Sequence, residues 1–386
     1  MDVETGTESE LVLIGGCYEQ IIFGYRIKKP GQNWNPEPDF THHAHTASLT
    51  TVAINDCYVA TGSKDETIQL YNMKKKIDQG SLLYHDGTIT CLEFYGNTHL
   101  LSGAEDGLIC VWDIKRWDCL QTIRAHKGHV SSLSVHPSGK LALSVGTDKT
   151  LRTWNLIDGK SAFIKNINRN AHIVQWSPAG DNYIVVSNNE LDVYNLMTAS
   201  IHGTIVSKTR ISSVKFITES IVAIAGDEEY VRLYNTNTKT CLSEFKAHDT
   251  RVKVMHFFSI AQSHVLATAS SDGYIKLWQI DIKKIQSCPV LLSKVNTSAR
   301  LTCLAVWLSI PQSITQRIEE QVTQCEGDKS SIKLSKQKKV KFKEATLDGG
   351  KHPQKRKREI LYKREKAVET KKKEKEKASN EHFSVV

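Results

Sequence analysis

Residues 85–113, HDGTITCLEFYGNTHLLSGAEDGLICVWD, determine how the rest of the chain is interpreted. Apolar and polar residues alternate in 88–94, and a second apolar run at 99–102 leads into the turn 103–107, which contains two glycines. A third run, 108–113, ends in Trp-Asp. Short alternating runs separated by Gly/Asp turns predict a small antiparallel sheet.

An aromatic residue recurs at intervals of 40 to 44 residues, each time with an acidic or amide residue six positions before it. The aromatic residues are Tyr71, Trp112, Trp154, Tyr194, Tyr234 and Trp278. Their partners are Asp65, Asp106, Asp148, Asn188, Glu228 and Asp272. A period of about 40–45 residues with a Trp-Asp ending indicates the four-stranded blades of a WD40 β-propeller. The fourth and fifth repeats lack a leading histidine, so we expect apolar packing to hold them more than a polar network.

Six complete repeats would leave an open ring with exposed strand edges, which promote aggregation. The missing strands are predicted at the two ends of the chain: residues 10–17, 20–27 and about 37–43 precede the first repeat, and 300–307 follow the last. Tyr25 then takes the recurring aromatic position. We therefore predict an all-β fold, a seven-bladed WD40 β-propeller whose seventh blade is shared between the two termini.

The net charge of the chain is concentrated at one end. Of 51 Lys/Arg and 42 Asp/Glu, residues 309–386 hold 21 and 12, a net charge of +9, which leaves 30 of each sign before them. Because so polar a segment cannot offset its chain entropy, we predict a disordered 1–9, a propeller at 10–308 and a basic, largely disordered tail at 309–386.

The tail carries clustered basic residues, to which we assign nuclear and nucleolar targeting and non-specific contact with ribosomal RNA phosphates. The alternative is a tail that only keeps the protein in solution. The residues are Lys338, Lys339, Lys341, Lys355, Arg356, Lys357, Arg358, Lys371, Lys372 and Lys373.

Histidines lead several repeats, and we expect each to bond with the aspartate and the aromatic residue of its own repeat. A buried Asp or His is costly without a partner, whereas a satisfied network fixes local geometry. One set per blade keeps the sets too far apart to share a metal or a substrate. The network residues are His45, Asp65, His85, Asp106, Trp112, His126, Asp148, Trp154, His248, Asp272 and Trp278.

No motif for catalysis, cofactor or metal binding is found. The cluster His42-His43-Ala-His45 resembles a metal site, but His45 belongs to the blade network and no Cys or second His pair lies at zinc-ligand spacing. Phosphate loops and nucleophile motifs are missing from the sequence. We therefore predict that the protein is not an enzyme.

The chain has nine cysteines and no Cys-x-x-Cys pair, and neither a signal peptide nor a membrane-spanning run is found. These features predict a reduced, intracellular, soluble protein.

Several stretches resemble the p21-activated protein kinase-interacting WD40 proteins. They are residues 40–48, 61–68, 102–109, 136–155, 161–165, 247–248, 269–273 and 296–307. The resemblance covers roughly 15–308, and its most specific part is 136–165. It implies a nucleolar factor for assembly of the large (60S) ribosomal subunit, similar to the fungal Mak-type protein. It also implies binding to the regulatory region of p21-activated kinase, which restrains activation by Rho-family GTPases.

The resemblance therefore predicts pre-ribosomal assembly factors, large-subunit proteins and p21-activated kinase as partners of a monomeric scaffold, with no membrane. A substrate receptor for ubiquitin ligases or a chromatin-associated adaptor is the alternative, against which the basic tail argues. On the propeller, Trp117 with Arg116 follows the end of a blade, where an aromatic residue could anchor a partner, and Trp34 lies in another long loop. Packing of Trp117 on the next blade is the competing explanation.

Overall fold

Residues 10–28, 34–43, 45–260 and 263–309 are described by a computed structural model of the chain. Within them, 28 strands form seven four-stranded antiparallel sheets. The first strands of neighbouring sheets contact one another at six junctions, and a shared apolar cluster joins the sheets at the seventh, so the sheets are the blades of a ring. This confirms the predicted seven-bladed propeller. The predicted segment 1–9 and the tail beyond Ser309 lie outside the described residues.

The first three blades follow one another along the chain. Blade 1 consists of β4 (Leu49–Ile54), β5 (Tyr58–Ser63), β6 (Thr67–Asn72) and β7 (Ile77–Leu83). Blade 2 consists of β8 (Ile89–Tyr95), β9 (His99–Ala104), β10 (Leu108–Asp113) and β11 (Cys119–Arg124). Blade 3 consists of β12 (Val130–Val135), β13 (Leu141–Gly146), β14 (Thr150–Asn155) and β15 (Lys160–Asn166).

The next three blades repeat this order. Blade 4 consists of β16 (Ile173–Trp176), β17 (Asn182–Ser187), β18 (Glu190–Asn195) and β19 (Ile201–Val206). Blade 5 consists of β20 (Ile211–Phe216), β21 (Ile221–Gly226), β22 (Tyr230–Asn235) and β23 (Cys241–Lys246). Blade 6 consists of β24 (Val252–Ile260), β25 (Ser263–Ser270), β26 (Tyr274–Ile280) and β27 (Val290–Asn296), with a 3-10 turn at Ile282–Lys284.

Blade 7 joins the two ends of the chain, as predicted. Its inner strand is β28 (Leu301–Ser309), followed outward by β1 (Glu10–Cys17), β2 (Ile22–Lys28) and β3 (Pro36–His42). β1 pairs with β28 in antiparallel register, from Glu10 opposite Ser309 to Cys17 opposite Leu301. The strands β2 and β3 begin and end within two residues of the predicted bounds.

The recurring aromatic residue marks the same irregularity in every blade. The ladder between the third and fourth strands shifts register immediately before it, for example at Leu70/Tyr71 and Val111/Trp112. In blade 7 this shift falls at Gly24/Tyr25. A bulge bends the strand and re-aims one side chain. The period in the sequence is therefore the period of this bulge, and Tyr25 is its seventh member.

The apolar core is divided into seven clusters, one at each junction between neighbouring blades. Two of the seven depend on blade 7. One joins Leu11 and Leu13 to Val265 of blade 6, and the other joins Ile14 to Leu49 of blade 1. Within the described residues, no helix is long and apolar enough to cross a membrane.

The closing strand generates a matched pair of substitutions. A Cβ added at Gly16 would lie 2.5 Å from Cys303 Sγ and 3.0 Å from Leu49 Cδ2, whereas one added at Gly15 meets only the methyl ends of Leu301 and Ile275 at 3.2 and 3.3 Å. We expect Gly16→Ala to lower the free energy of unfolding by about 1–3 kcal/mol, because the added methyl group would overpack this junction. Gly15→Ala should change it by less than about 1 kcal/mol. Chemical denaturation measures both, and equal effects would contradict the packing at the seam.

Candidate partner-binding site on the upper face

The two faces of the ring are built from different connections. Because the strands of each blade alternate in direction, the segments entering each first strand and the turns between second and third strands share one face, here called the upper face. The turns between first and second and between third and fourth strands form the lower face. Loops over a rigid scaffold are where propellers present binding residues.

A hydrogen-bond relay links the upper face to the interior of blade 2. His85 Nδ1 lies 2.9 Å from Asp106 Oδ2, and His85 Nε2 lies 2.8 Å from Ser102 Oγ. The indole N–H of Trp112 donates to the same hydroxyl at 2.8 Å. Asp106 also accepts the backbone N–H groups of Asp86 and Leu108. The relay fastens the loop before β8 to β9 and β10.

The same relay recurs in three other blades, with one variation. In blade 3 it joins Asp148, His126, Ser144 and Trp154, and in blade 6 Asp272, His248, Thr268 and Trp278. In blade 1 it joins Asp65, His45 and Thr61. The aromatic residue of blade 1, Tyr71, instead stacks on Phe40 at 5.2 Å between ring centroids.

The relay histidine of blade 6, His248, is held neutral. Burial lowers its pKa to about 4, although Asp272 opposes the shift. A neutral imidazole has one donor and one acceptor. With Nδ1–H donating to Asp272, Nε2 accepts the hydroxyl of Thr268, which accepts the indole N–H of Trp278. The groups of this relay are thus committed to one another, and the geometry assigns them a structural role.

Blades 4 and 5 replace the relay in different ways. Blade 4 relies on aromatic packing: Tyr183 stacks on Tyr194 at 5.1 Å. In blade 5, Arg232, whose side chain is only 7% exposed, binds the Glu228 carboxylate and donates to Glu244 Oε2 at 2.6 Å. Burial alone would raise the pKa of Glu228, but hydrogen bonds from Arg232 lower it. In blade 5 an ion-pair network thus takes the place of the missing histidine, beside the apolar clusters that this blade shares with blades 4 and 6.

A second set of bulges lies at the top of the inner strands. In six blades the ladder between first and second strands skips one residue, and five of the skipped residues carry a hydroxyl. Those five are Thr50, Thr90, Ser131, Ser212 and Thr302. The hydroxyls of Thr90 and Ser212 each donate at 2.6 Å to the first strand of the next blade. In blade 6 the skipped residue is Lys253.

The inner strands surround a central channel of about 660 Å³. Glu93 of blade 2 and Lys215 of blade 5 both line this channel, and their charges interact across it. Burial raises the pKa of Glu93 to about 7, and burial lowers that of Lys215, while each charge opposes the shift of the other. Burial and Lys215 together lower the pKa of His256 to about 3. Among the residues that line the channel, Glu93 is the one acid, and Lys215 and Lys253 are the two lysines.

A cleft of about 270 Å³, which shares Thr50, Lys253 and Thr302 with the channel, opens on the upper face where blades 6, 7 and 1 meet. Four basic side chains line it: Lys64, Arg251, Lys253 and Arg300. Leu49 and Leu301 contribute apolar surface, and Tyr18 stands at the rim with 55% of its surface exposed. The sequence interpretation missed this cleft, because its residues come from the two ends of the propeller, at 18–64 and 251–302.

The aromatic residues proposed as partner anchors lie on the lower face and pack inward. Trp117 meets Tyr58 of blade 1 edge-on at 5.1 Å and joins the core between blades 1 and 2. Its partner is thus the preceding blade rather than the next. Trp34 packs against the core between blades 6 and 7. Arg116 is exposed. Packing rather than solvent exposure accounts for both tryptophans.

The histidine cluster at 42–45 lies at the outer edge of blade 7 and in the relay of blade 1. His42 of the metal-like cluster lies 3.6 Å from Asp78 and tilts against Tyr71, whereas His45 points into the relay of blade 1. Among the described residues, no group of three or more His, Cys, Asp or Glu is arranged to hold a metal. The basic residues assigned to targeting, from Lys338 to Lys373, lie outside the described residues.

Comparison with known proteins separates the blades that carry the relay from blades 4 and 5. The family model "WD domain, G-beta repeat" matches residues 36–72, 78–113, 117–155 and 239–279. The unmatched stretch between the last two matches contains blade 4 and the first three strands of blade 5, and both blades lack the relay. Together with the fold and the relays, these matches define a WD-repeat β-propeller protein.

Three relatives narrow the class. "p21-activated protein kinase-interacting protein 1-like" of Xenopus laevis is 62% identical over 301 residues, covering 78% of this chain and 83% of the relative. "p21-activated protein kinase-interacting protein 1" of Homo sapiens is 53% identical over 303 residues, 77% of each chain. "Protein MAK11" of Saccharomyces cerevisiae is 26% identical over 394 residues, 88% of this chain and 94% of the relative. The chain belongs to the family of p21-activated protein kinase-interacting protein 1, which confirms the resemblance seen in the sequence.

The relay of blade 2 provides a stability test. Asp106→Ala leaves His85 and two backbone N–H groups without their acceptor, so we expect the free energy of unfolding to fall by about 1.5–3 kcal/mol. Asp118→Ala, an exposed position in the same blade, is the control and should change it by less than about 0.5 kcal/mol. Thermal denaturation compares the two variants, and an unchanged melting temperature for Asp106→Ala would show that the relay is not structural.

Proposed function

We propose that this protein is a non-enzymatic scaffold that binds the regulatory region of p21-activated kinase and restrains its activation. The observation that carries the proposal is the 53–62% identity to proteins named for interaction with this kinase, which extends over most of the chain. The closed ring supports it, because seven blades hold loops on two faces and offer several surfaces to partners. The His, Asp and Trp residues that could suggest catalysis are committed to the blade relays.

We further propose a role in nucleolar assembly of the large ribosomal subunit, with assembly factors and large-subunit proteins as partners. Similarity to Protein MAK11 along 88% of this chain supports this role, given the family resemblance described above. The charge distribution supports it too, since residues 309–386 carry a net charge of +9 while the rest of the chain is formally neutral. Contacts of such a tail with RNA would be independent of base sequence and sensitive to salt.

The kinase role is tested with purified components. The full chain should bind the regulatory region of p21-activated kinase and reduce the activity of the full-length kinase stimulated by a GTP-loaded Rho-family GTPase. The isolated catalytic domain of the kinase is the control, because it lacks the region to which we assign binding. Equal inhibition of full-length kinase and catalytic domain, or no inhibition of either, would contradict the proposal.

The ribosomal role and the tail are tested together in cells. The tagged full chain should accumulate in nucleoli and co-purify with large-subunit assembly factors, and deletion of residues 330–386 should abolish nucleolar accumulation. Within the full chain, replacement of Lys371, Lys372 and Lys373 by Gln should weaken it, while the matched triplet Lys74, Lys75 and Lys76, exposed on blade 1, should not matter. Nucleolar accumulation of the deletion variant, or recovery of a cullin complex without assembly factors, would overturn the assignment.

A further inference from the structure

The cleft between blades 6, 7 and 1 concentrates positive charge in a way that the composition does not explain. The chain before residue 309 has 30 basic and 30 acidic residues, yet Lys64, Arg251, Lys253 and Arg300 converge on a space of about 270 Å³. None of the residues lining this space is acidic. The excess of four positive charges is therefore a local property of the seam where the ring closes.

These positive charges are largely left without counter-charges. Within the part of the chain that the structure describes, Lys64 and Lys253 have no hydrogen-bond or ion-pair partner for their ammonium groups. Arg251 approaches Asp227 at 3.8 Å, and the guanidinium of Arg300 lies over the Tyr18 ring, 5.7 Å from its centroid. Burial, and then the charge of Arg251, lower the pKa of Lys253. The neighbouring arginines thus raise the cost of charging Lys253, and an anion in the cleft would reverse that effect.

A β-bulge in the inner strand of blade 6 places Lys253 in the cleft. It occupies the bulge of blade 6, between Val252 opposite Ser270 and Val254 opposite Ala269. In the equivalent bulges of five blades a hydroxyl residue is found, and those of Thr90 and Ser212 bond the next inner strand. Blade 6 gives up this tie for an ammonium group at the mouth of the channel. The neighbouring Thr302 bonds the carbonyl of Gly16 at 3.1 Å and fixes the far wall.

We propose that this cleft binds acidic side chains of an extended peptide segment of a protein partner. Its volume admits a few side chains but not a nucleic-acid duplex. Leu49, Leu301 and the exposed ring of Tyr18 provide apolar surface for residues flanking the anion. Peptide recognition of this kind combines basic side chains with neighbouring pockets.

The surroundings favour a peptide over a single-stranded nucleic acid. Tyr18 is the one aromatic residue lining the cleft, whereas strands of nucleic acid are held on successive aromatic rings. Glu19 lies at the rim, where its carboxylate accepts the backbone N–H of Arg300 at 3.3 Å. Asp249, 83% exposed on the same face, is paired with Lys246 at 3.2 Å, so it supplies no counter-charge to the cleft. The inference concerns a site that the kinase and ribosome proposals do not assign.

The test compares binding of defined probes to matched variants of the full chain. The probe is a fluorescein-labelled peptide, GSEELEGS, and its reference is GSQQLQGS. Fluorescence anisotropy should show that the glutamate peptide binds and the glutamine peptide does not. Lys253→Gln should weaken binding about fivefold, and Lys253→Gln with Arg300→Gln should abolish the preference for glutamate. Lys127→Gln, an exposed residue on the upper face of blade 3, should leave binding unchanged.

Further arms identify the source of the anion and exclude the tail. Because every variant keeps residues 309–386, non-specific binding there cancels in the comparison. A benzophenone on the peptide should crosslink to residues around Tyr18 and Leu301. A phosphoserine version that binds more tightly, with the same dependence on Lys253, would identify phosphorylated segments as the preferred source of the anion. Crosslinks confined to the tail, equal effects of the Lys253 and Lys127 variants, or tighter Lys253-dependent binding of oligouridylate would each overturn the proposal. Inhibition of the kinase by the Lys253→Gln variant is measured alongside. If the unmodified chain inhibits the kinase but does not bind the glutamate peptide, only the proposal for this site fails.

Discussion

The antiparallel pairing of β1 with β28 is the interaction on which the rest of the structure depends. It brings together residues nearly 300 positions apart, from Glu10 opposite Ser309 to Cys17 opposite Leu301. Closing so long a loop costs chain entropy, but the cost grows only slowly with length. The pairing completes two of the seven junction cores and removes two strand edges that would otherwise be exposed.

Closure also explains why the basic cleft lies where it does. Tyr18 and Arg300 come from opposite ends of the chain, and only the closed seam places them beside Lys253 of blade 6 and Lys64 of blade 1. Blades 1, 2, 3 and 6 tie their recurring aspartate and histidine to a hydroxyl, and blade 5 pairs Arg232 with Glu228 and Glu244. Four basic side chains are thus gathered where the two ends of the propeller meet.

The sequence predicted the features that repeat and missed those that depend on contact between repeats. The period of the aromatic residues predicted seven blades and identified Tyr25, because a side chain at a bulge must recur once in each blade. It did not reveal the pair of Glu93 and Lys215 across the channel, since opposite blades share no sequence spacing. Lys253 looked like any strand lysine, because its position in a bulge follows from register. Trp117 and Trp34 were interpreted as loop residues that could anchor a partner, but both pack against blade cores. Burial of their large apolar rings is more favourable than exposure to solvent.

Amide hydrogen exchange of the full chain in solution, followed by mass spectrometry, tests the closure of the ring most directly. If β1 and β28 pair throughout, the amides of residues 10–17 and 301–309 exchange as slowly as those of β9 and β10 inside blade 2. They should also lose their protection together, in a single cooperative step with the neighbouring blades. Exchange of both strands on the timescale of exposed loops, while blade 2 remains protected, would show that the ring is open and contradict the account.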